Sequence, residues 1–412
     1  YAGLRFNSKK LRPPPMAHEI TARHSEREWE APRIAVLVDT STSWGRRVVT
    51  GINNYARKHG PWQLFVEARG LEERIQVPRG WRGEGIIARV GSEAMARDLR
   101  AHKIPVVNVS GIPLPGANFP RVNTDMQVTA EMAARHFLDR GFRHFAYFSL
   151  LGLSYLAPQQ EAFMATVKNA GCDCEVYGVQ PHAGAEPDWN LDLEQLAKWL
   201  KALPKPVGIL TWNADSGRQV IYAAQRARLH VPEEVALLSG SDDDLLCEVS
   251  HIPISAILVA AEQIGHRAAE VLDRLLRGRP ASKPTTLIPP LGIVTRQSTD
   301  TLAIRDRALV TAVSYIRQNA SRLVQVGEVA QHAGVSRRVL ERRFMQVLER
   351  TVAEEIRRVH FDRAKKLLVE TDLAIPEVAE ASGFGTPEYF AYAFKQELGQ
   401  TPLKYRKQIR GW

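Results

Sequence analysis

The stretch Val326–Tyr405 contains an internal repeat, and a repeat of this kind leaves few folds open. VGEVAQHAGV (Val326–Val335) returns as IPEVAEASGF (Ile375–Phe384). Val329, Ala330, Ala333, Gly334 and Val335 are answered 49 residues later by Val378, Ala379, Ser382, Gly383 and Phe384. Past the turn the offset becomes 50, with Leu340, Phe344 and Leu348 matching Phe390, Phe394 and Leu398. One extra residue in the second turn explains the slip.

Each copy reads as two helices joined by a tight turn. Val326, Val329, Ala330 and Ala333 fall at i, i+3, i+4 and i+7, one apolar stripe of a helix. Gly334 and Gly383 follow the stripe, where a left-handed residue lets the chain reverse. Ser336 is a suitable N-cap for a second helix running to about Val347. Thr386 followed by Pro387 is the matching start in the second copy. Between the copies the spacing predicts one long helix over Thr351–Glu370, opened by a Thr351/Glu354 capping box. The residues alone leave a plain helical bundle and a helix-turn-helix used for protein contact as alternatives.

This segment resembles the AraC-type DNA-binding domain, and FKQELGQTPLKYR (Phe394–Arg406) is similar to that family's closing signature. The resemblance implies a double-stranded DNA operator as partner, with RNA polymerase as a further one. It places Ser336, Arg337, Arg338, Glu341 and Arg342 of the first unit in the major groove. Arginine can pair with guanine O6 and N7, and glutamate can accept from cytosine N4. Arg343, one step round, falls to phosphate or solvent. The second unit would present Thr386, Pro387, Glu388, Tyr389, Tyr392 and Lys395. Without arginine there, its contacts should be weaker and partly apolar, with Lys395 available for phosphate. The long helix should set the two units in neighbouring major grooves, roughly 34 Å apart.

Charge placement agrees with a nucleic-acid partner. The 412 residues carry a net charge of +10. Residues 301–412 hold 19 Lys/Arg against 13 Asp/Glu, whereas 34–300 hold 29 against 28. Excess positive charge on one domain is the footprint expected for phosphate. Cys172, Cys174 and Cys247 form no disulfide framework and no metal-ligand spacing, so reduced thiols and no metal are expected. No apolar run approaches the roughly 18 residues of a membrane span. Residues 1–30 lack the apolar core of a secretory signal. A cytoplasmic, nucleoid-associated protein follows as the expectation. Residues 1–31 read as a disordered basic tail.

From Arg33 strands and helices alternate. RIAVLVD, WQLFVEA, GIIARV and IPVVNVSG are strands, with helices over 44–58, 92–101 and 126–140. RHFAYFSL begins the alternation again, followed by CEVYGV, PVGILTW, EVALLSGSDDD and a strand over 254–258. Helices are expected over 159–170, 191–202, 214–228 and 260–277, and TLIPPLGIV reads as one last strand. Such alternation predicts doubly wound parallel sheets. The fold class is therefore an α/β sensor of two lobes plus an all-α double helix-turn-helix domain. Boundaries are drawn at 32–297 for the sensor and 298–412 for the reader, with RQSTD (Arg296–Asp300) as the linker and a helix over 304–319 opening the reader.

Residues 33–297 resemble the periplasmic-binding-protein fold of LacI-type sensors, and the order sensor-then-reader resembles the xylose-operon regulators. RRVVTGINNYA and IPPLGIVTRQSTD add to that likeness. Ligand-gripping groups belong at strand carboxyl ends in such sheets. Those ends supply Asp39, Ser41, Trp44, Arg46, Arg89, Asp125, Asn213, Asp242 and Asp243. The resemblance makes Asp242 and Asn213 the main polar anchors. Gln159 stands where these sensors usually carry arginine, and Val259 where they carry glutamine. The implied function is a sugar-responsive, sequence-specific transcription regulator. It would activate pentose (xylose-like) catabolic genes, act as a homodimer and need no cofactor. Another sugar or sugar acid, a solute-binding protein and an α/β enzyme are the competing readings. The enzyme lacks support from any phosphate-cradling Gly-x-x-x-x-Gly-Lys, Gly-x-Ser-x-Gly or His-Glu-x-x-His motif, so no catalytic residue is assigned.

Overall fold

A computed structural model describes residues 31–67, 77, 80–112, 114, 118–150, 156–179, 189–303 and 306–410. The expected basic tail lies almost wholly outside these residues, as does the start of the expected 304–319 helix.

Among the described residues, two six-stranded sheets form the sensor. The first holds β1 (Arg33–Leu37), β2 (Gln63–Val66), β3 (Gly85–Ala88), β4 (Val106–Asn108), β5 (Arg121–Thr124) and β11 (Thr285–Ile288). Its order is β11-β5-β4-β3-β1-β2, with every pairing parallel. The second holds β6 (His144–Leu150), β7 (Cys174–Val179), β8 (Val207–Thr211), β9 (Val235–Ser239), β10 (Ser255–Leu258) and β12 (Gly292–Val294). It repeats the order as β12-β10-β9-β8-β6-β7, with only the β10–β12 pair antiparallel. The central strands β1, β3, β8 and β9 are apolar and buried along almost their whole length, as a sheet covered on both faces requires.

Helices α1 (Ser43–His59) to α8 (Ala261–Leu276) clothe these sheets, but not in the two consecutive blocks that the alternation predicts. The intermediate ones are α2 (Glu93–Ala101), α3 (Met126–Leu138), α4 (Ala157–Asn169), α5 (Trp189–Ala202), α6 (Ala214–Ala227) and α7 (Asp244–Glu248). After β5 the chain leaves the first lobe. Ala130, Ala133, Ala134 and Phe137 of α3 pack with Phe145, Tyr147 and Phe163 in the second-lobe core. After β10 it returns, and Ala261, Ile264, Ala268 and Leu272 of α8 join Ile34, Val36, Val48 and Ile52. Helices α1 and α8 cross through reciprocal glycines. A Cβ on Gly51 would stand 2.0 Å from the Glu262 carbonyl oxygen, and one on Gly265 would stand 2.1 Å from that of Val48. The expected single strand TLIPPLGIV is in fact two, one in each lobe. Pro289 and Pro290 break it, because proline offers no N–H to a ladder.

The reader comprises α9 (Arg307–Gln318), α10 (Val326–His332), α11 (Arg337–Leu348), α12 (Val352–Glu370), α13 (Ile375–Ala381), α14 (Pro387–Leu398) and α15 (Pro402–Arg410). Both repeat units form as the spacing predicts. Gly334 and Gly383 adopt φ of +68° and +76°, the left-handed turn residues. Ser336, Thr351 and Thr386 cap their helices, and the Thr351/Glu354 box is complete. Leu340, Phe344 and Leu348 sit in one core with Val329 and Ala330; Phe390 and Phe394 sit in the other with Val378 and Ala379.

Candidate effector cleft and nucleic-acid interface

The loop after β1 is built around Asp39, which is 3% exposed. Its Oδ1 accepts from the Ser41 backbone N–H at 2.9 Å and from the Ser41 hydroxyl at 2.6 Å. Its Oδ2 is buried with no hydrogen-bond partner among the described residues. A buried carboxylate oxygen in that state is costly, and a ligand hydroxyl would satisfy it. Gly45 lets α1 begin this close, since a Cβ there would stand 1.8 Å from the Asp39 carbonyl oxygen. Arg46 bonds its own loop, donating to the Thr40 and Ser41 carbonyls at 3.1 and 2.7 Å. Trp44 is half-buried on the first-lobe core. Arg89, just past β3, is half-buried, and its guanidinium has no partner among the described residues.

Several second-lobe candidates cap helices as well. Asn213 accepts from the Ser216 N–H at 2.9 Å and caps α6, leaving its amide nitrogen without a partner among the described residues. Asp125 caps α3 through the Val128 N–H at 3.1 Å. Gln159 is buried, and its Oε1 accepts from the Tyr147 hydroxyl at 2.8 Å. Asp243 caps α7 through Leu246, while its Oδ2 accepts from the Ser43 N–H at 3.3 Å and the Ser43 hydroxyl at 3.0 Å. That contact joins the two lobes where α1 begins.

Asp242, expected as a main anchor, already has protein partners. Its Oδ1 accepts from Arg296 Nη1 at 3.0 Å, and its Oδ2 lies 3.6 Å from Arg47 Nη2. Guanidinia thus flank both oxygens, with lone pairs left to accept further hydrogen bonds. Neither arginine was singled out by the sequence. Nothing in a local window marks a partner 54 residues away.

Arg296 is also one end of a polar path that runs through the second lobe to Arg140. Its carbonyl accepts from the Ser255 hydroxyl at 2.9 Å, and that hydroxyl accepts from Thr299 at 2.7 Å. Thr299 accepts from His136 Nε2 at 2.9 Å, and His136 Nδ1 accepts from Arg140 at 3.1 Å. The histidine tautomer is assigned from this network. Burial, reinforced by Arg140, holds His136 well below its usual pKa. Ser298 and Thr299 are fully buried, so the linker is bound to the second lobe rather than spanning solvent. Arg350 completes the junction, pairing with Glu355 at 2.7 Å and with Asp139 of the second lobe at 3.6 Å.

On α11, Arg337, Arg338 and Arg342 are exposed and make no ion pair among the described residues. Glu341 is half-buried, and its carboxylate accepts from the Val352 N–H at 3.2 Å, which ties it to the start of α12. Arg343 is not left to solvent or phosphate as expected. It bonds both oxygens of Asp306, at 3.1 and 3.0 Å, and Asp306 also caps α9. On α14, Glu388 and Lys395 are exposed beside Thr386 and Pro387, and Tyr389 and Tyr392 are 52% and 64% exposed. That face is aromatic and carries no arginine. Among the described residues no group of three or more His, Cys, Asp or Glu could hold a metal ion. No described helix is long and apolar enough to cross a membrane.

Comparison with known proteins covers both halves of this architecture. Residues 33–127 match a XylR N-terminal domain, 134–299 a periplasmic binding protein-like domain and 329–408 a helix-turn-helix domain. The chain is 30% identical over 382 residues to the Xylose operon regulatory protein of Haemophilus influenzae, spanning 91% of this chain and 98% of that one. Against the Xylose operon regulatory protein of Escherichia coli strain K12 it is 28% identical over 381 residues, spanning 91% and 96%. A solved structure described as that of the xylose-binding transcription activator xylR is 27% identical, with a TM-score of 0.59 over 92% of this chain and 98% of that one.

Proposed function

The chain belongs to the family of the xylose operon regulatory proteins, and we propose that within it this transcriptional regulator activates pentose-catabolic genes when a pentose such as xylose occupies the cleft. One observation carries the reading: a two-lobed sensor with polar groups left without protein partners at its strand ends, among the described residues, is fused to a doubled DNA-reading unit. Asp39 Oδ2, the Arg89 guanidinium and the Asn213 amide suit the adjacent hydroxyls of a sugar, with Trp44 as the apolar face. Asp242, the other expected anchor, takes a second part as well. It holds Arg296, and through it the start of the linker at residue 296. The sensor is assigned to 32–297 and the reader to 298–412. The regulator works as a homodimer on paired half-sites, contacts RNA polymerase, and resides in the cytoplasm on the nucleoid. Sedimentation showing only monomer with DNA and sugar present would defeat the dimer.

Calorimetry with xylose tests the cleft. Asp39→Asn and Asn213→Ser are each expected to weaken binding by about 10- to 100-fold, the worth of a charge-assisted or well-placed hydrogen bond. Serine keeps the helix cap, so an effect at Asn213 reports the lost amide. Unchanged affinity in both variants would place the sugar elsewhere.

Footprinting and anisotropy test the reader. Arg338→Ala or Arg342→Ala is expected to cost about 1–3 kcal/mol and to relax specificity at one base step. Glu388→Ala should cost less, because α14 offers the duplex mostly aromatic surface. A second half-site as sequence-selective as the first would refute this asymmetry.

A further inference from the structure

A cavity of about 220 Å³ lies between the second lobe and the reader. Strand β12 and Arg140 wall it on the sensor side, Asp300 belongs to the linker, and α9, α12 and Tyr405 close it from the reader. Among the described residues six cations line it: Arg140, Arg317, Arg358, Arg363, Lys365 and Lys366. The two lining carboxylates are already engaged. Asp300 pairs with Arg317 at 3.1 Å, and Asp362 pairs with Arg358 at 2.9 Å and Lys365 at 3.8 Å.

Arg140 is the most constrained of the six. It is 4% exposed and has no carboxylate within ion-pair reach among the described residues. Its hydrogen bonds go to neutral acceptors, the His136 ring and carbonyl and the Thr299 carbonyl. Burial draws its guanidinium down to about 9, with Arg317 and Arg358 adding to the effect and the more distant carboxylates of Asp362 and Glu355 opposing it. Beside it, Arg317 Nη2 is buried with no partner among the described residues. Buried charges are ordinarily paired, and a buried donor without an acceptor calls for an ion or water.

We propose that this cavity is a binding site for a small phosphate-type oxyanion, either orthophosphate or a phosphomonoester. Guanidinium forks match the oxygens of phosphate bidentately, and the anion offsets charge that a neutral sugar cannot. A DNA backbone does not fit the same role, since Arg140 is almost wholly buried. The site is separate from the effector cleft and does not rest on its assignment. Because its walls come from sensor, linker and reader, occupancy holds the three together. Arg140 is also the first member of the polar path that ends at Arg296 and Asp242.

Anion binding is tested on the full chain without DNA or sugar, and DNA binding of the same variants is measured separately by anisotropy. Calorimetry and thermal unfolding are run with inorganic phosphate and, separately, with ribose 5-phosphate, each against chloride at equal ionic strength. Saturable binding of one anion per chain with a rise in melting temperature is expected. Arg140→Gln and Arg317→Gln should each weaken it about tenfold or more, as loss of a charge-assisted pair does. Should Arg140→Gln fail to fold, the partly exposed Arg317 decides the matter. Tighter binding of ribose 5-phosphate identifies a phosphomonoester site, and tighter binding of inorganic phosphate a free-phosphate site; either supports the proposal. Absence of saturable binding, an equal effect of chloride, or unchanged affinity in Arg317→Gln would overturn it. So would variants that weaken DNA binding while leaving phosphate binding intact, which would give this face to the duplex.

Discussion

The full chain carrying Glu355→Ala is expected to lose about 3–5 kcal/mol of unfolding free energy, the cost of removing one partner from a buried ion cluster. Glu355 is wholly buried on α12. Its Oε2 accepts from Arg350 at 2.7 Å and from Arg358 at 2.9 Å, while its Oε1 accepts a second bond from Arg358 at 2.7 Å. Burial alone would raise its pKa, but the Arg358 and Arg350 guanidinia outweigh that and hold it below the usual carboxylate range. The sign for pH follows. A depressed carboxyl contributes fully above its unfolded pKa of about 4.3 and loses its contribution as pH falls through the lower folded value. Urea unfolding at pH 7 should therefore show the largest gap between wild type and variant, and the gap should close in acid. A loss below about 1 kcal/mol, the range of an exposed pair, would mean that Arg350 and Arg358 are satisfied without it. Arg350 also bonds the Asp139 carbonyl in the second lobe, so the variant should loosen the sensor–reader junction before either domain unfolds.

Phe394→Ala is expected to cost a similar 3–5 kcal/mol through cavity formation, and to abolish DNA binding by unfolding the second unit. Phe394 is fully buried, with the rings of Tyr405, Phe390 and Phe361 at 5.3, 5.4 and 6.0 Å. Phe344→Ala should do the same to the first unit, where Phe344 is also fully buried. Near-ultraviolet dichroism separates this outcome from that of Arg338→Ala, which should bind DNA poorly while keeping its aromatic signal. A Phe394→Ala protein with native dichroism and altered base preference would contradict the assignment of Phe394 to the core.

The reader was legible because its information is local. Stripe, turn glycine, cap and capping box are each complete within about two helical turns, and each formed where the spacing put it. Most strands were legible for the same reason, but β5 was not, since RVNT carries a single apolar residue, and TLIPPLGIV read as one strand rather than two. What could not be read was which lobe each element joins. The sequence of α8 shows an apolar face, and nothing in it says that the face meets α1 rather than the strands just before it. The reach of Arg343 to Asp306 and of Arg296 to Asp242 is hidden in the same way. A long side chain on a polar helix face looks equally suited to solvent, phosphate or a distant carboxylate. Pro289-Pro290 was a readable signal that the last strand is divided, and its meaning depended on two sheets lying side by side.

The reciprocal glycine crossing of α1 and α8 bears on how the protein is made. The first lobe begins to emerge from the ribosome at Arg33, yet its core is incomplete until α8 has followed, and its sheet until β11 closes the edge at Ile288. At roughly 5–20 residues per second, that wait is on the order of ten seconds or more, with the apolar face of α1 uncovered meanwhile. The second lobe, by contrast, has every strand but β12 in hand before α8 is made. It is therefore the lobe that can fold first during synthesis. An expression fragment ending between the lobes in sequence would contain neither of them whole.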